Sequence, residues 1–433
     1  MVIFVKIIQV ILALSVLIII HEFGHFLWAR LFHIRVEKFY LFFDVGGKAL
    51  ARWHWGETEF GIGWLPFGGY CKIAGMVDES MDLAQLRQEP QPWEFRTHPA
   101  WQRLLVMAGG VINNFIFAIL AYIAIMAIWG ESYIENRGSR IYVDELGYEM
   151  GFRTGDEILR LDDYVPENFA MLQVDIARRD VRKVTVLRQG DTLDIYIDQS
   201  RIGELLNDPL MFDLAVPFVV DSVMSSSLNA GAGLHRGDRI VSFDGHDVEY
   251  VQDSRELLAS RASQQIPAQV VRGEDTLGMS MRVDSLGRIG VYMQAPGIQT
   301  KRYGLLEAIP AGWRVAGETI RGYLDDLRLV ARPSTGAYKS VGSFIAIGQV
   351  FPETWDWYRF LSILALLSIM LAIMNLLPIP GLDGGHILFT LYEIITGRKP
   401  GEKFLVVAQM VGMVIIFGLM FLAFGNDISR IIH

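Results

Sequence analysis

The sequence predicts an α-helical integral membrane protein with four transmembrane helices, a membrane-associated β-loop and two tandem α+β domains inserted between helices 2 and 3. Three observations predict this class. The 433 residues are 52% hydrophobic with a mean hydropathy of +0.30, which is too apolar for an ordinary soluble protein and too polar for membrane helices alone. Four segments are long enough to cross a bilayer, which takes about 20 helical residues. A repeated motif in the longest polar region indicates two copies of one small domain.

The net charge argues against one class of partner, and the cysteine content excludes two kinds of site. The formal net charge of −9 argues against nucleic acid as a partner, because proteins that bind nucleic acid present basic surfaces to the phosphates. Cys71 is the single cysteine of the chain. The sequence therefore allows neither an internal disulfide nor a zinc cluster held by several thiolates.

The first apolar segment runs from about residue 7 to residue 32, and we assign residues 1–35 to the first transmembrane helix. Between residues 7 and 20 only Gln9 and Ser15 are polar, so the helix is apolar all round. A cleaved signal peptide is the alternative. We predict a retained span, because the apolar run continues into a histidine motif that cleavage there would remove.

That motif is His21-Glu22-Phe23-Gly24-His25. Histidines four positions apart lie on one face of a helix and can both reach a single zinc ion. The carboxylate of Glu22 can accept a proton from the attacking water of a hydrolysis reaction. Two chance histidines on a membrane helix are the simpler interpretation. Three ionisable groups near bilayer depth are costly, however, and this favours a functional site.

Residues 36–76 are rich in aromatic residues and glycine, with short alternating runs such as the one from Glu59 to Trp64. This pattern predicts β-hairpins. So much apolar surface beside a span favours a sheet that enters the membrane, a membrane-reentrant β-loop. A small cytoplasmic β-subdomain is the alternative. A cytoplasmic loop at 77–102 and the second span at 103–129 follow.

Lysine and arginine are concentrated in the segments that join span one to span two and span three to span four. The positive-inside rule therefore places these two segments in the cytoplasm. Both termini and residues 130–357 then lie on the outer side. On this topology the histidine motif lies toward the cytoplasmic side of the membrane.

An internal repeat organises the outer region. The sequence GFRTGDEI, which begins at Gly151, recurs 82 residues later as GLHRGDRI, which begins at Gly233. A period of this length matches one small domain. We therefore predict two domains with mixed sheets, at 131–217 and 218–294. An amphipathic helix and linker are predicted at 303–355.

The third span, at 358–386, and the fourth, at 404–424, complete the membrane part. The third span ends in Asn375-Leu-Leu-Pro-Ile-Pro-Gly-Leu-Asp383. Prolines and glycine there stop the helix, and irregular backbone at membrane depth is tolerated only inside protein or along a polar cavity. A carboxylate at Asp383 can complete a set of two histidines and one carboxylate that leaves one position open for water.

Together these motifs resemble the site-2 protease (M50) family of intramembrane zinc metalloproteases. The histidine motif, the distant NxxPxPxLDG pattern that contains Asp383 and the GxxxGDxI repeats carry the resemblance over nearly the whole chain. It implies that the two outer domains are PDZ-like. It also implies Zn²⁺ as the cofactor, with His21, His25 and Asp383 as metal ligands and Glu22 as the catalytic general base.

The resemblance further implies a group of residues that contact the substrate. These are Asn375 with the turn of Pro378 and Pro380, Gly68 in the reentrant loop, and Asn114 in a GxxxNF pattern that begins at Gly110. His386 is a separate case, because it either supports a metal ligand or is an ordinary structural histidine.

The implied activity is hydrolysis of peptide bonds within or near transmembrane segments of single-span membrane proteins. The implied substrates have already lost their outer domain, as with anti-sigma factors or signal-peptide remnants after a first cut. We expect a monomeric multi-pass protein of the bacterial inner membrane, embedded in the lipid bilayer. Its active site would lie toward the cytoplasm and its PDZ-like domains in the periplasm.

Three other functions fit part of the sequence. A catalytically inactive membrane scaffold with PDZ-like partner-binding domains would need neither Glu22 nor the complete ligand set. A zinc carrier would be expected to show polar residues along several spans, which these spans lack. An unrelated membrane protease with the same histidine motif would take its third ligand from a downstream helical glutamate, and Asp383 is the clearer candidate.

Overall fold

The computed structural model describes residues 2–66, 68–76, 89–207, 211–294, 297–333, 337–340 and 342–432. Residues 77–88 of the predicted cytoplasmic loop lie outside this described part. The chain divides into two compact units. The membrane unit comprises Met1–Gly130, Arg302–Leu327 and Lys339–His433, and the inserted unit comprises Glu131–Lys301 and Arg328–Tyr338.

Helices make up most of the membrane unit, and four short helices among the described residues lie in the inserted unit. In chain order, the α-helices of the described residues are α1 (Val2–Leu31), α2 (Ala100–Ile128), α3 (Glu145–Glu149), α4 (Leu172–Arg178), α5 (Ile202–Asn207), α6 (Arg255–Ser260), α7 (Leu305–Val330), α8 (Phe344–Val350), α9 (Trp357–Leu376), α10 (Asp383–Thr396) and α11 (Glu402–Ile432). Among the described residues, α1, α2, α9 and α11 are long and apolar enough to cross a membrane. The prediction of four such helices is confirmed.

Strands occur in the loop after α1 and throughout the inserted unit. They are β1 (Val36–Leu41), β2 (Ala49–Trp55), β3 (Thr58–Gly63), β4 (Tyr70–Ile73), β5 (Glu131–Ile134), β6 (Ile141–Val143), β7 (Glu157–Leu161), β8 (Lys183–Arg188), β9 (Asp191–Tyr196), β10 (Phe212–Leu214), β11 (Val220–Val223), β12 (Arg239–Phe243), β13 (His246–Asp247), β14 (Gln265–Arg272), β15 (Asp275–Arg282), β16 (Val291–Met293) and β17 (Ile298–Lys301).

Helices α1 and α2 pack closely through glycine. A Cβ atom at Gly24 of α1 would overlap the carbonyl of Gly109 in α2, so the two backbones meet with no side chain between them. Small residues commonly allow membrane helices to approach in this way. The contact places the histidine face of α1 against α2.

The predicted third span consists of two helices. α9 ends at Leu376, and α10 begins at Asp383 after a short non-helical turn. Pro378 and Pro380 lie in this turn, where proline cannot supply the N–H that would continue a helix. α11 packs directly on the turn, because a Cβ atom at Gly412 would overlap the Pro380 carbonyl.

The loop after α1 forms a mixed four-stranded sheet with the order β2–β3–β1–β4. β2 and β3 form a hairpin that turns at Gly56, where φ is +62°. β1 pairs parallel with β3 and antiparallel with β4, which leaves β4 at one edge. The rings of Phe39 and Phe60 contact Phe26 of α1 and hold the sheet against that helix.

The inserted unit contains two hydrophobic cores, one for each copy of the repeat. The main sheets have the orders β7–β8–β9 and β13–β12–β14–β15. In the first copy the buried motif residue Asp156 pairs with Arg188 at 2.7 Å, and in the second Asp238 pairs with Arg272 at 2.7 Å. Each arginine also donates to the carbonyl of the first motif glycine. The sequence repeat is therefore a structural repeat.

Candidate metal centre

Two histidine rings of α1 are directed at the same point. His21 and His25 lie one helical turn apart, and both are buried. Their Nε2 atoms are 3.3 Å apart, and their ring planes are nearly perpendicular, at 82°. This is the arrangement that the four-residue spacing predicts.

Asp383 joins the two histidines from the other end of the chain. It is the first residue of α10, and its Oδ2 lies 3.1 Å from His21 Nε2 and 3.3 Å from His25 Nε2. The following glycine makes this position possible, since a Cβ atom at Gly384 would overlap the Leu377 carbonyl. The chain after α9 thus folds back tightly enough to bring the carboxylate to the histidines.

The three side chains fit a zinc ion. Their ligand atoms all lie within 4.8 Å of one another. The Nε2 atoms of the two histidines and Oδ2 of Asp383 are separated from each other by 3.1 to 3.3 Å. Tetrahedral ligands about 2.0 Å from an ion are about 3.3 Å from each other, so the spacing matches. Asp383 Oδ2 is buried and accepts no hydrogen bond from any described residue. A buried carboxylate oxygen in that condition is suited to a cation.

One face of α2 supports the two rings from the opposite side. Val106 O lies 2.8 Å from His25 Nδ1, and the amide of Asn114 lies 3.2 Å from His21 Nδ1. Gly110 lies between these positions, and a Cβ atom there would come within 2.5 Å of His25 Nε2. Positions 106, 110 and 114 share a helix face because they are four residues apart.

A cavity of about 1120 Å³ opens onto the metal-ligand group. Glu22 lines this cavity, and the backbone of Cys71 in β4 hydrogen-bonds to the Glu22 carboxylate. Residues of β4, α9, α10 and α11 supply further walls. A carboxylate that shares a cavity with a metal-binding group is well placed to transfer protons.

Two of the predicted substrate-contacting residues line this cavity. Gly68 lies on its sheet side, and Asn375 lies at the end of α9, with Nδ2 3.5 Å from His21 Nε2. Pro378 and Pro380 are not among the described residues that line the cavity. The two prolines form part of the turn that precedes Asp383.

Asn114, which is also predicted to contact the substrate, lies beside a metal ligand. It is fully buried beside His21 and is not among the described residues that line the cavity. This geometry gives no support to substrate contact at Asn114, because α2 turns the side chain toward the histidine ring. His386 does line the cavity, three residues after Asp383.

An ion pair absent from the sequence prediction anchors α10. Arg103, near the start of α2, and Glu393, in α10, are both largely buried, and Nη2 lies 2.6 Å from Oε1. Arg103 Nε also donates to the carbonyl of His98. The pair fixes the far end of the helix that begins at Asp383. The available sequence signals were Arg103 at the start of the apolar second span and Glu393 as the one charged residue of the run from Ile387 to Ile395.

Comparisons with known proteins cover nearly the whole chain. The family model described as peptidase family M50 matches residues 9–419. Regulator of sigma-E protease RseP of Salmonella typhimurium is 28% identical over 466 residues, which cover 97% of this chain and 98% of that protein. A Xylella fastidiosa protein, provisionally named zinc metalloprotease, is 28% identical over 452 residues, which cover 96% of this chain and 97% of that protein. A Vibrio cholerae protein with the same provisional name is 28% identical over 453 residues, or 97% and 98% of the two chains.

Proposed function

The chain belongs to peptidase family M50, and from that premise we propose that this multi-pass membrane protein is a zinc metalloendopeptidase of the site-2 type. It hydrolyses peptide bonds within or near transmembrane segments of single-span membrane proteins. The observation that carries the proposal is the juxtaposition of His21, His25 and Asp383 with Glu22 at one cavity of the membrane unit. The names of two relatives support zinc as the cofactor.

His21, His25 and Asp383 would hold the zinc ion and leave a fourth position open. When bound, zinc supplies Lewis-acid chemistry, which polarises the scissile carbonyl and makes water a stronger acid. The chain itself contributes a fixed arrangement. The three ligand atoms are already 3.1 to 3.3 Å apart, and both rings are held from behind by α2.

Glu22 serves as the general base and then as the general acid. Its carboxylate lines the same cavity, and its hydrogen bond with the Cys71 backbone holds it there. From this place it accepts a proton from the attacking water and returns it to the leaving amine. Glutamine at this position has the same shape but cannot carry out this transfer.

The edge strand β4 and Asn375 position the substrate backbone. Tyr70 and Cys71 of β4 line the cavity, and β4 pairs with β1 on one side. A transmembrane substrate must unwind before its carbonyls become accessible, and the extended segment can then add to the edge strand through main-chain hydrogen bonds. The Asn375 amide holds a backbone group that unwinding sets free, and Gly68 lies along the cavity that receives the segment.

The inserted unit screens the substrates before they reach the active site. Its two repeat copies are PDZ-like domains on the periplasmic side of the bacterial inner membrane, and the active site lies toward the cytoplasm. The PDZ-like domains exclude proteins whose outer domain is intact, so a first cut must remove that domain before this protein cleaves them. The lysine and arginine distribution supports this orientation. The name of the Salmonella relative refers to regulation of sigma-E, which fits substrates of the anti-sigma class. Signal-peptide remnants have the same single-span form.

Mapping the cleavage site tests this proposal. Purified protein in detergent is incubated with a tagged single-span substrate without its outer domain, and mass spectrometry identifies the new chain ends. Ends within or beside the hydrophobic segment would support the proposal, and ends confined to exposed loops would contradict it. Stoichiometric zinc without cleavage of any trimmed substrate would favour the inactive scaffold.

A further inference from the structure

Helix α2 contacts the Nδ1 atom of both histidine ligands. For His25 the partner is the Val106 carbonyl, which can only accept a hydrogen bond, at 2.8 Å. The neutral ring, which is the form that binds a metal ion, therefore carries its hydrogen on Nδ1 and keeps its lone pair on Nε2, which is the atom near Asp383. For His21 the partner at the same position is a side chain, the amide of Asn114, at 3.2 Å.

We infer that Asn114 is a positioning residue, whose amide oxygen accepts a hydrogen bond from His21 Nδ1 and so keeps the Nε2 lone pair directed at the metal position. The inference rests on the proposed function, because it assigns the residue a role toward zinc. It gives the two histidines the same arrangement by two different acceptors, a backbone carbonyl for His25 and a side-chain carbonyl for His21.

The hydrogen-bonding capacity of Asn114 supports this orientation of the amide. Asn114 is fully buried, and with Nδ2 toward the ring its Oδ1 has no partner among the described residues. A buried oxygen left unpaired costs about 1 to 3 kcal/mol. An amide nitrogen in that place would also donate to Nδ1, which puts the ring hydrogen on Nε2 and removes the lone pair that a metal ion needs there. A half-turn of the amide exchanges its oxygen and nitrogen, which gives the oxygen a partner and leaves the lone pair on His21 Nε2.

The same contacts explain the GxxxN pattern of α2 in physical terms. Gly110 leaves room for the rings of both histidines, since a Cβ atom there would lie 2.5 Å from His25 Nε2 and 2.7 Å from His21 Cε1. Asn114 follows one turn later on the same face and reaches the His21 ring. A hydrogen bond of this kind to the far nitrogen of a ligating histidine fixes its tautomer and raises its basicity.

Zinc affinity measured on the purified full-length protein tests the inference. Competition with a chromophoric chelator at one pH compares wild type with Asn114→Leu, Asn114→Asp and Asn113→Leu. We expect Asn114→Leu to bind zinc about 10- to 100-fold more weakly. Asn114→Asp should stay within about threefold of wild type, because its carboxylate accepts the same hydrogen bond. Asn113→Leu is the matched control and should match wild type, since the Asn113 amide faces the Ile20 carbonyl instead of a ligand.

Two results would overturn the inference. One is wild-type zinc affinity in Asn114→Leu. The other is an equal loss in Asn114→Leu and Asn114→Asp, which would mean that the site requires the amide nitrogen of asparagine and not an acceptor for His21 Nδ1. Failure of the proposed function looks different, because the wild-type protein itself would then bind no zinc, or would bind zinc and cleave no trimmed substrate.

Discussion

Gly110 contributes to the metal centre through the side chain that it lacks. The rings of His21 and His25 occupy the space in which a Cβ atom would lie. The sequence places these two histidines on one face of α1, since a spacing of four is sufficient for that. It does not indicate that positions 106, 110 and 114 form the wall behind them, because this depends on where α1 and α2 cross. The family resemblance implies substrate contact at Asn114, and the structure buries this residue beside His21.

We expect Gly110→Ala to weaken zinc binding by about tenfold or more, with cleavage falling in parallel, because the added methyl group displaces both rings. Gly317→Ala is the matched control. Gly317 lies within α7 with nothing within 4 Å of an added Cβ atom, so zinc binding should not change and the helix should gain up to about 1 kcal/mol. Chelator competition measures both variants. Equal zinc affinities in the two would refute this account of Gly110.

Among the elements, the turn between α9 and α10 contributes most to the site. Prolines in the sequence predict that the helix stops there, and Asp383 is found at the start of the next helix. The pairing of β1 with β3 could not be predicted in the same way. Hairpin patterns specify only strands that are neighbours in the sequence, and this parallel pair joins strands with β2 between them. The Arg103–Glu393 pair likewise joins two segments that are far apart in the chain.

The repeat of the inserted unit leads to a pH-dependent prediction. Asp238 is 1% exposed, and hydrogen bonds from Arg272 hold its pKa below the usual range. Its unfolded pKa is about 3.9, so its stabilising contribution is complete above that pH and is lost as the pH falls through the lower folded value. We expect Asp238→Asn to lower the local unfolding free energy by about 2 kcal/mol at pH 7 and to flatten the pH dependence below about pH 4.

Amide hydrogen exchange across residues 218–294, corrected for the intrinsic exchange rate, measures this effect. Asp247→Asn is the control, because Asp247 is exposed in β13. Protection in Asp238→Asn equal to that of the control at pH 7 would rule out a stabilising role for the ion pair.

At the scale of the whole molecule, the metal centre combines the two ends of the chain. Asp383 lies 358 positions after His25, and the inserted unit occupies about half of the interval. The sequence predicts this split because each half has its own local signal, a histidine spacing in one and a proline-interrupted span in the other. The support around the ligands has no such signal, because it consists of contacts between helices.

The proposed topology predicts which surfaces face outward. In a Cys71→Ser background, a cysteine placed at Leu286 in the inserted unit should react with a membrane-impermeant maleimide in intact spheroplasts. A cysteine placed at Arg398, between α10 and α11, should react only after permeabilisation, because the positive-inside rule places this basic loop in the cytoplasm. Both positions are exposed, so access to the reagent depends on the side of the membrane. The reverse labelling pattern would invert the topology.

The most direct test of the central claim compares zinc content and cleavage in three purified proteins: wild type, Glu22→Gln and Asp383→Ala. The site requires Asp383 to hold the metal and Glu22 to move the proton, so the two variants should fail for different reasons. We expect stoichiometric zinc and cleavage in wild type, zinc without cleavage in Glu22→Gln, and reduced zinc without cleavage in Asp383→Ala. Cleavage by Glu22→Gln, or full zinc retention by Asp383→Ala, would contradict the assignment of these two residues.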